Sequence, residues 1–204
     1  MAEGWRSVTL DQIEPIPVVG GTLLWRPVRR MLDIGAFGIN SYVGPNAGDD
    51  VVEEHTEQSL GHEEVYVVLS GHATFTLDGK ELDAPAGTVV FIRDPTVRRH
   101  AKATEPNTVV PAVGGPRGAA YEPSAWEDYF AAERHRNAGD YDAYADELAE
   151  ALEQRPRANE PLILATDATR CACMPLTVTS TLLGVTKDSN PECWSKATPL
   201  RRAS

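Results

Sequence analysis

The chain has few cysteines, no long apolar run and no excess of positive charge, and each shortage excludes a class of protein. Its 3 cysteines, Cys171, Cys173 and Cys193, are too few and too confined to the tail for a disulfide framework. No apolar run approaches the ~20 residues that cross a bilayer. A net charge of -11 repels phosphate backbones, which argues against a nucleic-acid partner. The first residues lack a basic segment followed by an apolar core, so we expect no secretory signal, no membrane association and a cytoplasmic protein.

What the chain does have, from about residue 20 to residue 115, is a series of short segments rich in β-branched and aromatic residues. They are separated by turn signals and not by helical patterns. Asp78-Gly79 lies between ATFTL and KELDA and is the strongest hairpin signal. Such spacing predicts a sandwich or barrel. The strand segments are GTLLWRPV, INSYVG, EEVYVVLSG, ATFTLDG, GTVVFIRD and TVVPAVGG.

After Pro123 the composition becomes rich in Ala and Glu, which predicts two helices separated at Gly139. Ser124 is a candidate N-cap, with Glu127 completing a capping box. The second helix carries an apolar stripe, and the pair resembles one tetratricopeptide-type unit. One such unit cannot bury its apolar face alone, so it must pack on the barrel, on another chain or on further helices.

A polar stretch before the third segment carries the most informative residues. Gly48, His55, Glu57, Glu64 and Gly71 resemble the first cupin motif, a Gly, His-x-His, a Glu and a closing Gly. In this chain Glu57 stands in place of the second His, and the gap to Glu64 is longer than in the family.

The second cupin motif is recognisable in a changed form. Pro85-Ala86-Gly87 opens it, and His100 follows Pro95 by five residues, where the family has its third His. Two extra residues separate Gly87 from Pro95. Val97 and Thr104 replace the usual Gly and Asn.

The resemblance to cupins implies a mainly β fold, a single cupin-type jelly-roll barrel with a C-terminal helical appendage. We expect an extension over 1–19, the barrel over 20–120, the helical hairpin over 121–160 and an irregular tail over 161–204. The family chemistry implies a divalent metal (Fe, Mn, Ni, Cu or Zn), since imidazole and carboxylate ligands suit these ions. The candidate ligands are His55, Glu57, His62, Glu64 and His100.

Strand parity refines the pocket, because residues two apart point to one side of a strand. Glu64, Tyr66 and Val68 should face the interior, with Tyr66 a candidate cofactor contact. Val65, Val67 and Leu69 should face the opposite side and pack under a covering strand or the helices.

Other interpretations of the same residues stay open. The stretch EEHTEQSLGHEE is compatible with a solvated loop, and His100 with an exposed position. Glu64 would be costly to bury unpaired, so an arginine among residues 93–99 is an alternative partner to a metal.

Two functions follow. One is a metal-dependent enzyme acting on a small molecule, such as an oxygenase, isomerase or decarboxylase. The other is a metal-free module that senses a small ligand or uses the helices to bind a partner. A small-molecule ligand is expected in both, and a homodimer or protein partner through the helices is a further expectation.

Overall fold

A computed structural model describes residues 4–21, 23–154, 178–179 and 182–183 of the chain. Ten strands and three α-helices lie between residues 4 and 154. The strands are β1 (Ile16–Val18), β2 (Leu23–Arg26), β3 (Gly38–Gly44), β4 (Asp50–His55), β5 (His62–Val67), β6 (His72–Leu77), β7 (Lys80–Pro85), β8 (Val89–Ile92), β9 (Arg99–Ala103) and β10 (Thr108–Pro116). The helices are α1 (Val28–Leu32), α2 (Ala125–Asn137) and α3 (Tyr141–Gln154).

Eight of these strands, β3 to β10, form a jelly roll. Their antiparallel pairs are nested: β3 pairs with β10, β4 with β9, β5 with β8, and β6 with β7. The nesting creates two facing sheets, one ordered β1-β2-β3-β10-β5-β8 and the other β4-β9-β6-β7. This arrangement confirms the predicted mainly β, jelly-roll fold.

The main core fills the space between the two sheets, and β5 shows the expected parity. Tyr66 and Val68 are buried in this core, as predicted. Leu69 lies on the opposite face, but it is 56% exposed, so the prediction that a strand or the helices cover it is wrong. Phe75 contacts the Tyr66 ring edge-on, with 5.7 Å between ring centroids. The strand register is therefore the one that the alternation of residues predicted.

The hairpin predicted at Asp78-Gly79 joins β6 to β7. Leu77 pairs directly with Lys80, which leaves a loop of two residues. Both have positive φ, 47° at Asp78 and 79° at Gly79, as a tight turn of this kind requires.

The structure adds two elements that the sequence did not predict. Ile16–Val18 forms an edge strand, so the sheet begins before the expected boundary at residue 20. This strand contains Pro17, and proline is tolerated at a sheet edge because one row of N–H groups there has no strand to pair with. The second is the one-turn helix α1, which ends at Asp33 in a left-handed conformation.

The two predicted helices are present, and they pack on the barrel. The Ser124 hydroxyl accepts from the Trp126 amide (3.1 Å) and caps α2. Phe130 and Ala131 of α2 share a second core with Val18 and Trp25. The resemblance to a tetratricopeptide unit is not confirmed, and packing on the barrel is the alternative that the structure supports.

Ion pairs from α1 reinforce this packing. Arg29 Nε donates to Glu127 Oε2 at 2.5 Å, and Arg30 donates to Asp128 (2.7 Å) and Glu147 (3.1 Å). The helices are therefore held to the barrel by an apolar core and by paired charges.

The predicted irregular tail lies outside the described residues, apart from two short paired strands, β11 (Val178–Thr179) and β12 (Leu182–Leu183). Within the described residues, no helix has both the length and the apolar character to cross a membrane.

Candidate functional site

A cavity of about 280 Å³ lies between the inner face of the larger sheet, the β4–β5 connection and the start of α2. One wall is polar and contains the residues of the first motif. The aromatic lining residues, called the aromatic wall, include residues of α2, so the helical appendage is part of the cavity. The polar residues include His55, Glu57, His62 and Glu64, and the aromatic ones are Trp25, Tyr42, Tyr66, Tyr121, Trp126 and Phe130.

Four of the five predicted metal ligands meet on the polar wall. His55 Nε2 lies 3.4 Å from Glu57 Oε1 and 3.8 Å from Glu64 Oε2. One ligand atom from each of these three residues lies within 4.8 Å of the others. His62 borders the group, with Nδ1 3.1 Å from Glu57 Oε2 and its ring 5.7 Å from that of Tyr121. The solvated-loop alternative is therefore not supported for these residues.

Local irregularity in β4 brings His55 to the cavity. The pairing of β4 with β9 shifts between Asp50 and Val52 and again between Val52 and His55. Val51 and Val52 are consecutive and both buried, which a regular strand does not allow. Bulges of this kind redirect side chains, and here they turn His55 inward at the end of the strand.

Hydrogen bonds to the backbone hold His55 and Glu57 in place. His55 Nδ1 donates to the carbonyl oxygen of Glu53 at 2.8 Å, which leaves Nε2 pointing at the two carboxylates. The Glu57 amide donates to the Pro95 carbonyl at 2.9 Å, and the Gly61 amide donates to the Glu57 carbonyl at 2.7 Å. These two hydrogen bonds hold the loop between β4 and β5 in place beside the cavity.

The cluster has strongly shifted proton affinities. Burial alone would lower the pKa of His55, but hydrogen bonds to Glu57 and Glu64 outweigh it and raise the pKa to about 10. Burial would raise the pKa of Glu57, but its contacts with His55 and His62 lower it to about 2. At neutral pH His55 is therefore an imidazolium paired with carboxylates.

Glu64 has the arginine partner that the sequence left as an alternative. Arg99 Nη1 donates to Glu64 Oε2 at 3.0 Å, and the Tyr66 hydroxyl donates to the same oxygen at 2.5 Å. Arg99 is 0% exposed. Burial first, and then the charge of Glu64, raise the pKa of Tyr66, so its hydroxyl stays protonated as a donor.

His100 was wrongly placed among the ligands. Along β9, Arg99 and Ala101 are buried, while His100 points to the other face, where its Nε2 lies 2.8 Å from Asp50 Oδ1. Lys102 shares that face, with its Nζ 3.6 Å from the same oxygen. The motif spacing suggested His100, but strand parity assigns the inward position to Arg99. The alternation of Ala101 and Ala103 with polar residues was the signal that could have shown this.

Glycines make room on the floor of the cavity. Gly114 pairs with Glu64 across β10 and β5, and a Cβ at Gly114 would lie 2.9 Å from Glu64 Cγ. A Cβ at Gly38, its neighbour on β3, would lie 2.9 Å from the Tyr121 hydroxyl. The absence of side chains at these two positions leaves space for Glu64 and Tyr121.

The donor set fits a divalent metal. Two ligand atoms on one ion are separated by at most about twice a ~2.1 Å bond, and both distances from His55 Nε2 satisfy that limit. Metal-ligating histidines usually donate their other ring N–H to a backbone carbonyl or a carboxylate, and His55 donates its Nδ1–H to the Glu53 carbonyl.

Sequence reasoning missed the side of the cavity formed by β3 and α2. Asn40 Nδ2 donates to Glu127 Oε1 at 3.2 Å, and the Tyr121 hydroxyl donates to the same oxygen at 3.4 Å. Asn40 has the inward parity of Gly38 and Tyr42 on β3, which the sequence shows. Nothing in the sequence shows that Glu127 of a separate helix meets them.

Known proteins that are similar to this chain were found among solved structures. No protein-family model matches the chain, and no curated protein sequence matches it. Similar solved structures include a cupin protein from Bacteroides fragilis (17% identity, TM-score 0.45, 60% of this chain and 92% of that chain). Others are a cupin-superfamily sugar phosphate isomerase from Silicibacter pomeroyi (16%, 0.45, 54% and 75%) and the nucleoside dehydratase Pac13 (15%, 0.43, 60% and 88%).

These likenesses concern the fold alone. The nested strand order makes the chain a jelly roll, and His55, Glu64 and Gly71 are the residues that resemble the first cupin motif. More particularly, it is a single jelly-roll domain whose cavity is completed by a helix that follows the strands. Fold does not determine the reaction.

Proposed function

We propose that the chain binds a small molecule in this cavity and holds a divalent metal on His55, Glu57 and Glu64. The observation that supports this is the convergence of one imidazole and two carboxylates, with ligand atoms within 4.8 Å of one another, on the wall of a cavity. Such ligands suit Fe, Mn or Zn among the candidate metals.

Each residue has a separate task in this proposal. The Glu53 carbonyl holds His55 Nδ1 and thereby aims Nε2 at the site. Arg99 and Tyr66 fix one oxygen of Glu64, and Glu57 supplies the carboxylate nearest to both histidines. A bound metal would supply Lewis acidity toward an oxygen of the small molecule.

A metal-free function is the second candidate, and the charge balance of the cluster favours it. Arg99 offsets Glu64, and the imidazolium of His55 offsets Glu57. An imidazolium between two carboxylates in a cavity can bind a polar ligand or transfer a proton without a metal. This version corresponds to the sensing or binding module.

Metal content separates the two candidates. Purified full-length protein is loaded with Fe²⁺, Mn²⁺ or Zn²⁺, dialysed, and measured by inductively coupled plasma mass spectrometry. We expect near-stoichiometric metal in the wild type and much less in Glu57→Gln, which keeps the shape and removes the charge. Glu64→Gln is a poorer probe because it would leave Arg99 buried without its counter-charge.

His100→Ala is the matched control, since it removes an imidazole on the opposite face of β9. It should retain as much metal as the wild type. Wild-type protein that holds no metal after loading would reject the metal site and leave the metal-free candidate. Loss of metal in His100→Ala would reject the assignment of ligands. A protein partner or homodimer through the helices stays a prediction.

A further inference from the structure

We propose that the cavity selects a small organic cation, a protonated amine attached to a planar ring, over an anion of the same shape. This rests on the proposed function, namely that a small molecule occupies the cavity. Three features of the lining support the preference: its charges, one unsatisfied acceptor and its aromatic wall.

The charged groups that line the cavity are predominantly acidic. Five glutamates and two histidines contribute, and among the described residues no lysine or arginine does. The arginines that pair with three of these carboxylates are Arg29, Arg98 and Arg99, and none of the three is a lining residue. A ligand phosphate or carboxylate in the cavity would therefore face glutamate side chains. The glutamates are Glu53, Glu54, Glu57, Glu64 and Glu127.

These charges affect the pKa of Tyr42, a neutral residue of the lining. Burial first, and then the charges of Glu53, Glu64, Glu127 and Glu57, raise the pKa of Tyr42 well above its usual value. The same field that opposes a phenolate here would stabilise a ligand cation and oppose a ligand anion.

One buried acceptor in the lining, Asn40 Oδ1 on β3, lacks a donor within the described residues. Asn40 Nδ2 donates to Glu127 Oε1, so Asn40 Oδ1 is the atom that can accept a hydrogen bond from a ligand. Unsatisfied buried acceptors are costly, and an N–H donor of an ammonium group would satisfy this one.

The aromatic wall suits the rest of such a ligand. Trp25 and Phe130 meet edge-on at 5.6 Å between centroids, and Trp126 lies 6.1 Å from Phe130. Aromatic faces attract cations and stack on planar rings. The volume of about 280 Å³ is at the lower end of the ~300–1,000 Å³ usual for ligand pockets, which fits a single-ring molecule.

A matched set of probes tests the charge preference. Phenethylamine, 2-phenylethanol and phenylacetate share a phenyl ring and a short chain but are cationic, neutral and anionic near neutral pH. Their dissociation constants are measured on the metal-free full chain by isothermal titration calorimetry. We expect phenethylamine to bind at least about tenfold tighter than phenylacetate, because hydrogen bonds to charged groups are worth more than neutral ones.

Variants locate the binding. Glu127→Gln should reduce the preference for the amine several-fold, and Trp126→Leu should weaken both the amine and the alcohol. Phe91→Ala, which removes a 50% exposed aromatic ring from outside the cavity, should change neither. If Glu127→Gln does not fold because Arg29 loses its partner, Trp126→Leu still decides the location.

Equal or tighter binding of phenylacetate would overturn the proposal, as would an amine affinity that Trp126→Leu leaves unchanged. Absence of saturable amine binding also overturns it. In each of these cases the metal measurement on wild type and Glu57→Gln still judges the proposed function, so the two failures are distinguishable.

Discussion

The buried pair of Glu64 and Arg99 allows a quantitative test of how the interior is assembled. Glu64→Gln removes the only carboxylate that forms an ion pair with Arg99 among the described residues, and Arg99 is 0% exposed. Its Nε and Nη2 already lack hydrogen-bond acceptors there, so the guanidinium would be left buried and uncompensated. Breaking such a pair from one side costs about 3–5 kcal/mol.

That cost is a large share of the ~5–15 kcal/mol by which domains are usually stable. We expect the urea midpoint of Glu64→Gln to fall accordingly and the melting temperature to drop by roughly 10 °C. Arg99→Met should also destabilise the protein, and the double variant should be more stable than the sum of the single effects predicts. The coupling in this double-mutant cycle should be about 1–3 kcal/mol in favour of the pair.

The control is His100→Ala, the next residue on β9, whose partly exposed contact with Asp50 should be worth about 0–1 kcal/mol. A cost of less than about 1 kcal/mol for Glu64→Gln, or single effects that simply add, would refute the view that Arg99 depends on Glu64. Either result would also contradict the assignment of Arg99, and not His100, as the residue of β9 that faces the interior.

Three further predictions concern other parts of the cavity. The pKa of His55 is raised to about 10, above its unfolded ~6.5, so its contribution to stability is full below about pH 6.5 and is lost as pH rises through 10. Urea midpoints should therefore fall across that range. Midpoints that do not change with pH would contradict the pairing of a charged His55 with Glu57 and Glu64. Gly114→Ala should cost about 1–3 kcal/mol by overpacking, because its Cβ would lie 2.9 Å from a Glu64 carbon, whereas a Cβ at Gly115 meets only an ordinary contact at 3.7 Å and Gly115→Ala should be nearly neutral in the same unfolding assay. Ser124→Ala should cost about 1 kcal/mol by removing the cap of α2, and an unchanged melting temperature would show that the cap is dispensable.

The fold could be predicted because its signals are local. Alternation along β5 fixed the inward parity of Tyr66 and Val68, and the Asp78-Gly79 turn fixed the β6–β7 register. The period change at Pro123 located the two helices. Each of these needs only neighbouring residues, and the structure confirms all three.

The site could be predicted only in part, because its missing members depend on irregularity and on distant contacts. Bulges in β4 turn His55 inward, and no pattern of residues in the sequence predicted them. The motif spacing selected His100, although the parity of β9 places Arg99 inside. Glu127 reaches Asn40 across 87 residues of sequence, and only tertiary packing brings them together.

The shared core of barrel and helix has a consequence for how the chain unfolds. Val18, Leu23 and Trp25 are buried partly by Phe130 and Ala131 of α2. A fragment ending at residue 120 would therefore expose an indole and two aliphatic side chains to water and would lose one wall of the cavity. The jelly roll and its appendage are in this sense one cooperative unit, so tryptophan fluorescence and β-sheet circular dichroism should follow a single, coincident melting curve.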